Sequence, residues 1–576
     1  MFKFLVPSVA LWMVCLFGSA QNIRIDYSKP IKFSGKTGFP TGSEMFANNN
    51  LYVDKVDRKH YFKGRTSEAT KRFMDVVKLS DNTLLKNVQY YGREKGESNH
   101  TFKKRVLLKN SIIFFFERSS KKMNQLFAKV YDLDMVMKQP LQVVMEFPEN
   151  KSTRGAEFFI FRNYDEESVF LGTEFPSAGK GSSPYVDYKM LKDDLRSYNA
   201  GKFELPYVTT SGSSISRPSF IAKGDEIFFT NWVTKSEDEK KQAEKGESYQ
   251  NMMLSHLDAK TATVENVKLF IPGKNMKSVR LNVDDKGLWI MGLYSIYENN
   301  YAYPDRLKGF FSARLEDKNF RLTDLKTDTV SDDFVKPFNM ITEDLEVKGF
   351  LSFGGTASNM TDKYEIYIED YDRREDGGFD LYVTSRYQYA IQRCDKYNNC
   401  TTTYYSHKKG IGYIRTNGTG KVVFAKSQIR ARTYYSWYVD DVVAMHTKDD
   451  LLLFYNTCLD YEHKPSNNVP KVTKSSKLDS KLEFSVINEK SPAMERLYKA
   501  VEKNPAIGSV SGKFSMEGAL EYNNMVFNTT TKVNKNPIAM IADILILPIF
   551  IINSFNPIFG NLGAKGKYYV RTIREI

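Results

Sequence analysis

Along much of the 576-residue chain, short apolar or aromatic runs alternate with polar intervals. Residues 111–116 (SIIFFF) give way to charged 117–122, and a second run follows at 126–131. The same order recurs at 157–161 with 169–171, at 227–229 with 252–257, and at 288–294 with 310–315. It returns at 379–387 with 410–415, and at 451–455 with the segment around Leu482. Runs of this length, rich in β-branched and aromatic residues and bounded by Gly, Asp and Asn, predict strands joined as hairpins with uneven loops.

The turns entering several runs are alike. Lys223, Gly224 and Asp225 precede Ile227; Asp284 to Gly287 precede Leu288; Asp376, Gly377 and Gly378 precede Phe379; Lys448, Asp449 and Asp450 precede Leu451. Gly and Asp there suit the positive φ angles and local side-chain bonds of tight turns. Segments 254–260, 311–318 and 412–418 each lead through a turn to a further strand, at 264–270, 320–325 and 421–425. Repeated four-strand units of this kind predict an all-β fold, a β-propeller of about six to eight irregular blades with insertions, because each unit covers its faces only with its neighbours. Gly224, Gly287 and Gly377 lie 63 and 90 residues apart, so the intervals are irregular. Tandem β-sandwiches are the alternative.

In these turns and strands, over roughly 105–490, the chain resembles the large, uncharacterised exported β-propeller-like proteins of Gram-negative bacteria. The resemblance implies an exported propeller and transfers no catalytic residue. Forty Phe and 35 Tyr, within an aromatic share of 14%, agree with pleated, half-buried surfaces.

The expected organisation begins with a signal peptide at 1–20. Lys3 gives a positive start, 4–17 are uncharged and mostly apolar, and Gly18, Ser19 and Ala20 form a small-residue cleavage site. An N-terminal segment and first blade (21–104), propeller blades (105–490), a decorating helix (491–505) and a C-terminal segment with a closing strand (506–576) follow. The helix is predicted from Ser491 and Pro492 as cap and first turn, the shared face of Met494, Leu497 and Val501, and the stop at Asn504 and Pro505. The stretch that starts at Pro537 and ends at Gly560 reads PIAMIADILILPIFIINSFNPIFG, with one charge at Asp543. A buried hairpin or plug, membrane-surface contact and a true span all stay open for it.

Eighty-three basic against 69 acidic residues give a net charge of +14. The basic residues are dispersed, and no nucleic-acid motif appears, so no nucleic-acid partner is expected. Cys394 and Cys400 bracket a polar loop and are expected to form a disulfide, leaving Cys458 as a small buried hydrophobe. The six histidines show no metal-ligand spacing, and there is no nucleophile elbow or phosphate-binding loop. Neither a metal nor a cofactor is expected.

Acidic clusters at 165–167, 237–239, 369–370 and 372–376 read as solvated loops, with paired-carboxylate glycoside hydrolysis the alternative. Tyr294, Tyr297, Tyr301 and Tyr303, and Tyr434, Tyr435 and Trp437, are the candidate ligand platforms, since stacked rings suit sugars or peptides. The expectation is a non-enzymatic exported binding or scaffold protein of the cell envelope with a glycan or protein partner. A carbohydrate-active enzyme and a membrane-associated protein held through 537–560 are the alternatives.

Overall fold

The computed structural model describes residues 23–34, 39–59, 68–92, 100–175, 183–205, 216–284, 287–296, 307–316, 321–339, 365–394 and 400–434, apart from a few single positions. It also describes segments 442–446, 450–457, 459–460, 471–472, 481–488, 494–498, 520–522, 525–534 and 565–575. The expected leader, the 537–560 stretch and Cys458 lie outside these.

The fold is all-β and of the propeller class. In chain order the strands are β1 (Ile23–Tyr27), β2 (Ile31–Ser34), β3 (Phe39–Ala47), β4 (Asn50–Lys59), β5 (Glu68–Lys78) and β6 (Thr83–Gly92). Then come β7 (Thr101–Leu108), β8 (Ser111–Ser119), β9 (Met123–Asp132) and β10 (Met137–Pro148). Next are β11 (Glu157–Arg162), β12 (Ser168–Phe175), β13 (Tyr185–Lys192) and β14 (Ser197–Glu204). They are followed by β15 (Ser216–Lys223), β16 (Glu226–Thr234), helix α1 (Glu237–Gln242), β17 (Gln250–Asp258) and β18 (Thr263–Leu269). After these run β19 (Lys274–Asp284), β20 (Gly287–Ile296), β21 (Gly309–Glu316), β22 (Arg321–Thr329) and helix α2 (Asp332–Asn339). A further group is β23 (Glu365–Arg373), β24 (Phe379–Cys394), β25 (Cys400–Thr416) and β26 (Val422–Tyr434). The last strands are β27 (Val442–His446), β28 (Asp450–Thr457), β29 (Leu459–Asp460), β30 (Lys471–Val472), β31 (Lys481–Asn488), β32 (Met494–Tyr498), β33 (Leu520–Tyr522), β34 (Met525–Asn534) and β35 (Lys565–Glu575).

The chain divides into two compact units, 99–435 and a terminal unit of 1–98 with 436–576. In the first, β7–β10, β11–β14, β15–β18, β19–β22 and β23–β26 are each a four-stranded antiparallel sheet in chain order. The apolar runs are the central strands. Six successive residues of β8, Ser111 to Phe116, are buried, as are the first six of β12. Strands covered on both faces read as continuous apolar runs, whereas the last strand β14 is mostly exposed and polar.

Alternate residues serve alternate neighbours, because side chains point to opposite faces with period two. On β12, Val169 and Leu171 join Ile113 and Phe115 in one core, while Phe170 joins Phe229 and Leu257 in the next. Leu254 meets Leu288 and Ile290 in a third, and Leu293 and Phe310 meet Leu381, Val383, Phe334 and Phe338 in a fourth. A sheet buried on both faces by successive sheets excludes a row of two-sheet sandwiches. The first strands β7, β11, β15, β19 and β23 lie beside one another in succession, as the inner strands of a propeller do.

The terminal unit holds β3–β6, a β27-β28-β31-β32 sheet, the short β29–β30 pair and a five-stranded sheet. That last sheet has the order β1-β35-β34-β33, with β2 also on β35, so strands from both ends of the sequence share it. Ser28 fastens the junction: its N–H donates to the Val570 carbonyl at 2.8 Å, and its hydroxyl accepts from the Val570 N–H at 2.9 Å.

The helix expected over 491–505 is corrected: Met494–Tyr498 is a strand, pairing from Met494 opposite Ile487 to Tyr498 opposite Glu483. The apolar spacing at 494, 497 and 501 suits a helix, but β31 offers an open edge, and completing that ladder overrides local propensity.

Candidate interaction face

In a four-stranded meander, the turns joining strands one and two and strands three and four fall at the same end. Throughout the 99–435 unit these turns are short. Four of them share one five-residue design, at 132–136, 192–196, 374–378 and 417–421. The first residue's N–H donates to the fifth residue's carbonyl, and the fourth residue's N–H donates to the first's carbonyl, at 2.8–3.1 Å. The fourth residue is left-handed each time: Met135 (φ 57°), Leu195 (64°), Gly377 (84°) and Gly420 (74°). A left-handed residue after a tight turn matches the twist of the flanking strands.

Neighbouring turns brace each other into a continuous surface. The Lys109 N–H donates to the Glu166 carbonyl at 2.9 Å, and the Tyr164 N–H to the Ala222 carbonyl at 2.7 Å. The fully buried Asn163 spans two sheets: its amide donates to the Gly224 carbonyl at 2.8 Å and accepts from the Gly224 N–H at 3.0 Å. A parallel bridge between Asn163 and Ala222 shows that the two inner strands run the same way, which puts their turns at one end. The Asn199 amide donates to Asp225 at 2.6 Å. Lys109 with Glu167 and Lys138 with Asp193 add ion pairs at 3.7 Å between sheets.

This face is acidic. Turn segments 109–110, 132–136, 163–167, 192–196, 224–225, 258–262, 374–378 and 417–421 carry eleven acidic residues against six basic ones, in a chain of net +14. Two of these carboxylates are held ionised by the turns themselves. Asp194 lies below the usual carboxylate range chiefly because it accepts the Arg196 backbone N–H, and Asp258 because it accepts that of Lys260. Beside them, the His256 ring stacks on Phe228 and meets the Glu226 carboxylate.

The inner strands are stitched by side chains that donate to a neighbour's backbone. Lys104 donates to the Ile160 carbonyl at 2.8 Å, Ser219 to that of Val279 and Arg280 to that of Ile368. The Tyr371 hydroxyl donates to the Leu281 carbonyl at 2.8 Å, and burial pushes its pKa up to about 12. These cations and hydroxyls serve cohesion. Above them, the Arg373 guanidinium stacks 4.2 Å from the Trp289 ring and 5.3 Å from Phe379, an arrangement that sequence reading did not anticipate.

The tyrosine platform is corrected at Tyr294. Its side chain is buried at 2% exposure, its hydroxyl donates to the Asp328 carbonyl at 3.0 Å, and its ring covers Gly309. It is core because it sits on β20, a central strand covered on both faces. Tyr297, Tyr301, Tyr303, Tyr435 and Trp437 lie outside the described residues, and Tyr434 ends β26 opposite Ser406. Cys394 and Cys400 stand opposite each other as the last pair of β24 and β25.

The acidic clusters separate by role. Asp165 caps its own turn by accepting the Glu167 N–H at 2.9 Å. Glu239 completes a capping box with Ser236. Asp372 accepts the Tyr382 hydroxyl at 2.6 Å, whereas Asp376 accepts the Gly378 N–H at 2.9 Å. Among the described residues, no group of three His, Cys, Asp or Glu side chains is placed to hold a metal ion, and no helix is long and apolar enough to cross a membrane.

No protein-family model matches the chain, and no curated protein matches it. Solved structures resemble it at a distance. The WD40 domain of SCAP from fission yeast aligns at 8% identity over 96% of this chain and 94% of its own, with a TM-score of 0.34. The polysaccharide lyase Uly1 aligns at 11% identity over 84% and 92%, with a TM-score of 0.32. A xylan β-1,4-xylosidase from Bacillus halodurans C-125 aligns at 8% over 96% and 100%, with a TM-score of 0.22. Likeness at this level carries no argument about function.

Proposed function

We propose that this chain is an exported, non-catalytic binding or scaffold protein of the cell envelope, and that it holds a protein partner on the turn face of the 99–435 unit. The observation that carries the reading is the acidic surplus on that one braced face of a chain whose overall charge is +14. The leader-like first twenty residues support export.

The partner that fits is a polypeptide surface rich in Lys and Arg. Aligned carboxylates steer such a surface and fix its orientation, and they repel a polyanionic glycan. The braced turns hold these charges in place before contact, which lowers the ordering cost of association.

The test uses the purified chain with poly-lysine and heparin as probes, at low and moderate salt. The wild type is expected to bind poly-lysine in a salt-sensitive way. A variant carrying Asp165→Lys, Glu167→Lys and Asp193→Lys, with unchanged circular dichroism, is expected to bind at least about tenfold more weakly, equivalent to ~1.4 kcal/mol. Equal binding by the variant, or a wild-type preference for heparin, overturns the reading.

A further inference from the structure

The central strands of the β23–β26 sheet run well past their neighbours. β23 pairs with β24 only as far as Arg386, and β26 pairs with β25 only from Ser406 onward. Beyond those limits, β24 and β25 pair with each other alone among the described residues, from Tyr389 opposite Tyr405 to Cys394 opposite Cys400. The result is a two-stranded ribbon of six residue pairs extending from the sheet.

Among the described residues, no third strand pairs with this ribbon. A two-stranded hairpin without a third strand or a packed face is marginal in water. Thr401, Thr402 and Thr403 favour extended backbone, yet propensity alone does not fix a ladder. A slip of the register by one residue would exchange the ribbon's two faces.

We propose that Cys394 and Cys400 form a disulfide that staples the tip of this ribbon and locks its register. Residues directly opposite in an antiparallel ladder have Cα atoms about 4.5–5.5 Å apart, inside the roughly 4.4–6.8 Å that a disulfide bridges. The bond forms by thiol–disulfide exchange with a disulfide-bearing oxidant such as oxidised glutathione. One cysteine thiolate attacks the oxidant, and the second displaces it. Two thiols become one S–S bond, and the oxidant leaves as two thiols carrying both electrons and both protons. Closing so short a loop removes freedom chiefly from the opened ribbon, so the bond is expected to lower the ribbon's opening equilibrium by about fiftyfold.

The full chain, purified and equilibrated with oxidised glutathione, is alkylated and digested without reductant. The expected product is a linked peptide pair carrying Cys394 and Cys400, with Cys458 recovered alkylated. Hydrogen exchange at 389–394 and 400–405 is expected to accelerate about fiftyfold after reduction, and equally in a C394S/C400S variant, with the core strands unchanged. A C458S variant is expected to behave as the wild type. Recovery of both thiols in alkylated form, or a link from Cys458 to either one, overturns the proposal. So does a linked pair whose reduction leaves exchange in the ribbon unaltered.

Discussion

Asp75 is fully buried in the terminal unit and draws its partners from three strands. Lys55 of β4 approaches at 2.8 Å, the Tyr568 hydroxyl of β35 donates at 2.6 Å, and the Asn87 amide of β6 also donates. Burial lowers the pKa of Lys55, while the charge and hydrogen bond of Asp75 oppose that shift. Removing one donor leaves the carboxylate undersatisfied, so Tyr568→Phe is expected to cost about 1.5–3 kcal/mol in urea denaturation. Lys55→Met, which strands a buried charge, is expected to cost about 3–5 kcal/mol. The left-handed turn residues supply a second test. A Cβ on Gly377 would meet nothing closer than 3.8 Å, so Gly377→Ala isolates the backbone penalty and is expected to cost about 1 kcal/mol. Ala262, at φ 56°, should gain up to about 0.5 kcal/mol on conversion to Gly by the reverse argument. Residues such as Met135 and Leu195 explain why turns were only partly legible in the sequence. Gly224, Gly287 and Gly377 announce a positive φ, whereas Met135 and Leu195 accept the same strain because their side chains are buried.

Central strands were the legible elements, since burial on both faces writes itself as an unbroken apolar run; β8, β12, β16 and β20 were readable for that reason. The last strands β10 and β14 were not, because their mixed exposure gives neither a continuous run nor a clean alternation, whereas the first strand β11 and the last strands β18, β22 and β26 were found from their own runs and turns. The β32 segment was misread because its helical spacing competes with an edge that only the folded sheet presents. Aromatic rings laid over cross-strand glycines were equally hidden. Phe159 covers Gly172, Tyr188 covers Gly201, and Tyr294 covers Gly309, each pair directly opposite in its ladder. A Cβ on Gly172 would fall 2.1 Å from the Phe159 ring, so Gly172→Ala is expected to cost about 1–3 kcal/mol by thermal or urea unfolding. Helix α1 carries a pH dependence. Glu239 is depressed to about 2, first by the Ser236 backbone N–H and then by Lys268. A lowered carboxylate stabilises fully above its unfolded value, near 4.5, and loses that contribution as pH falls toward 2. Amide protection across 236–242, taken relative to the intrinsic exchange rate at each pH, is therefore expected to fall between pH 4.5 and 2, and Glu239→Gln should remove that pH step.

For the whole molecule, the net charge of +14 is an average that conceals an acidic face. The acids at 165–167 were visible in the sequence, but their union with those at 132–134, 193–194 and 258 needed the turns of successive sheets to meet at one end. If the face works electrostatically, the association rate of a cationic partner should fall steeply as salt rises while dissociation changes little, measurable by stopped-flow or surface binding. The five-stranded sheet has a consequence in time. Ile23 pairs with Glu575 and Tyr27 with Arg571, so β1 must wait for a strand more than five hundred residues further along the chain. The intermediate sheets can assemble one after another, yet that one stays incomplete until β35 is available. A stop before Lys565 would leave β1 and β2 without their partner, and one just after Tyr568 would spare β2 but not β1.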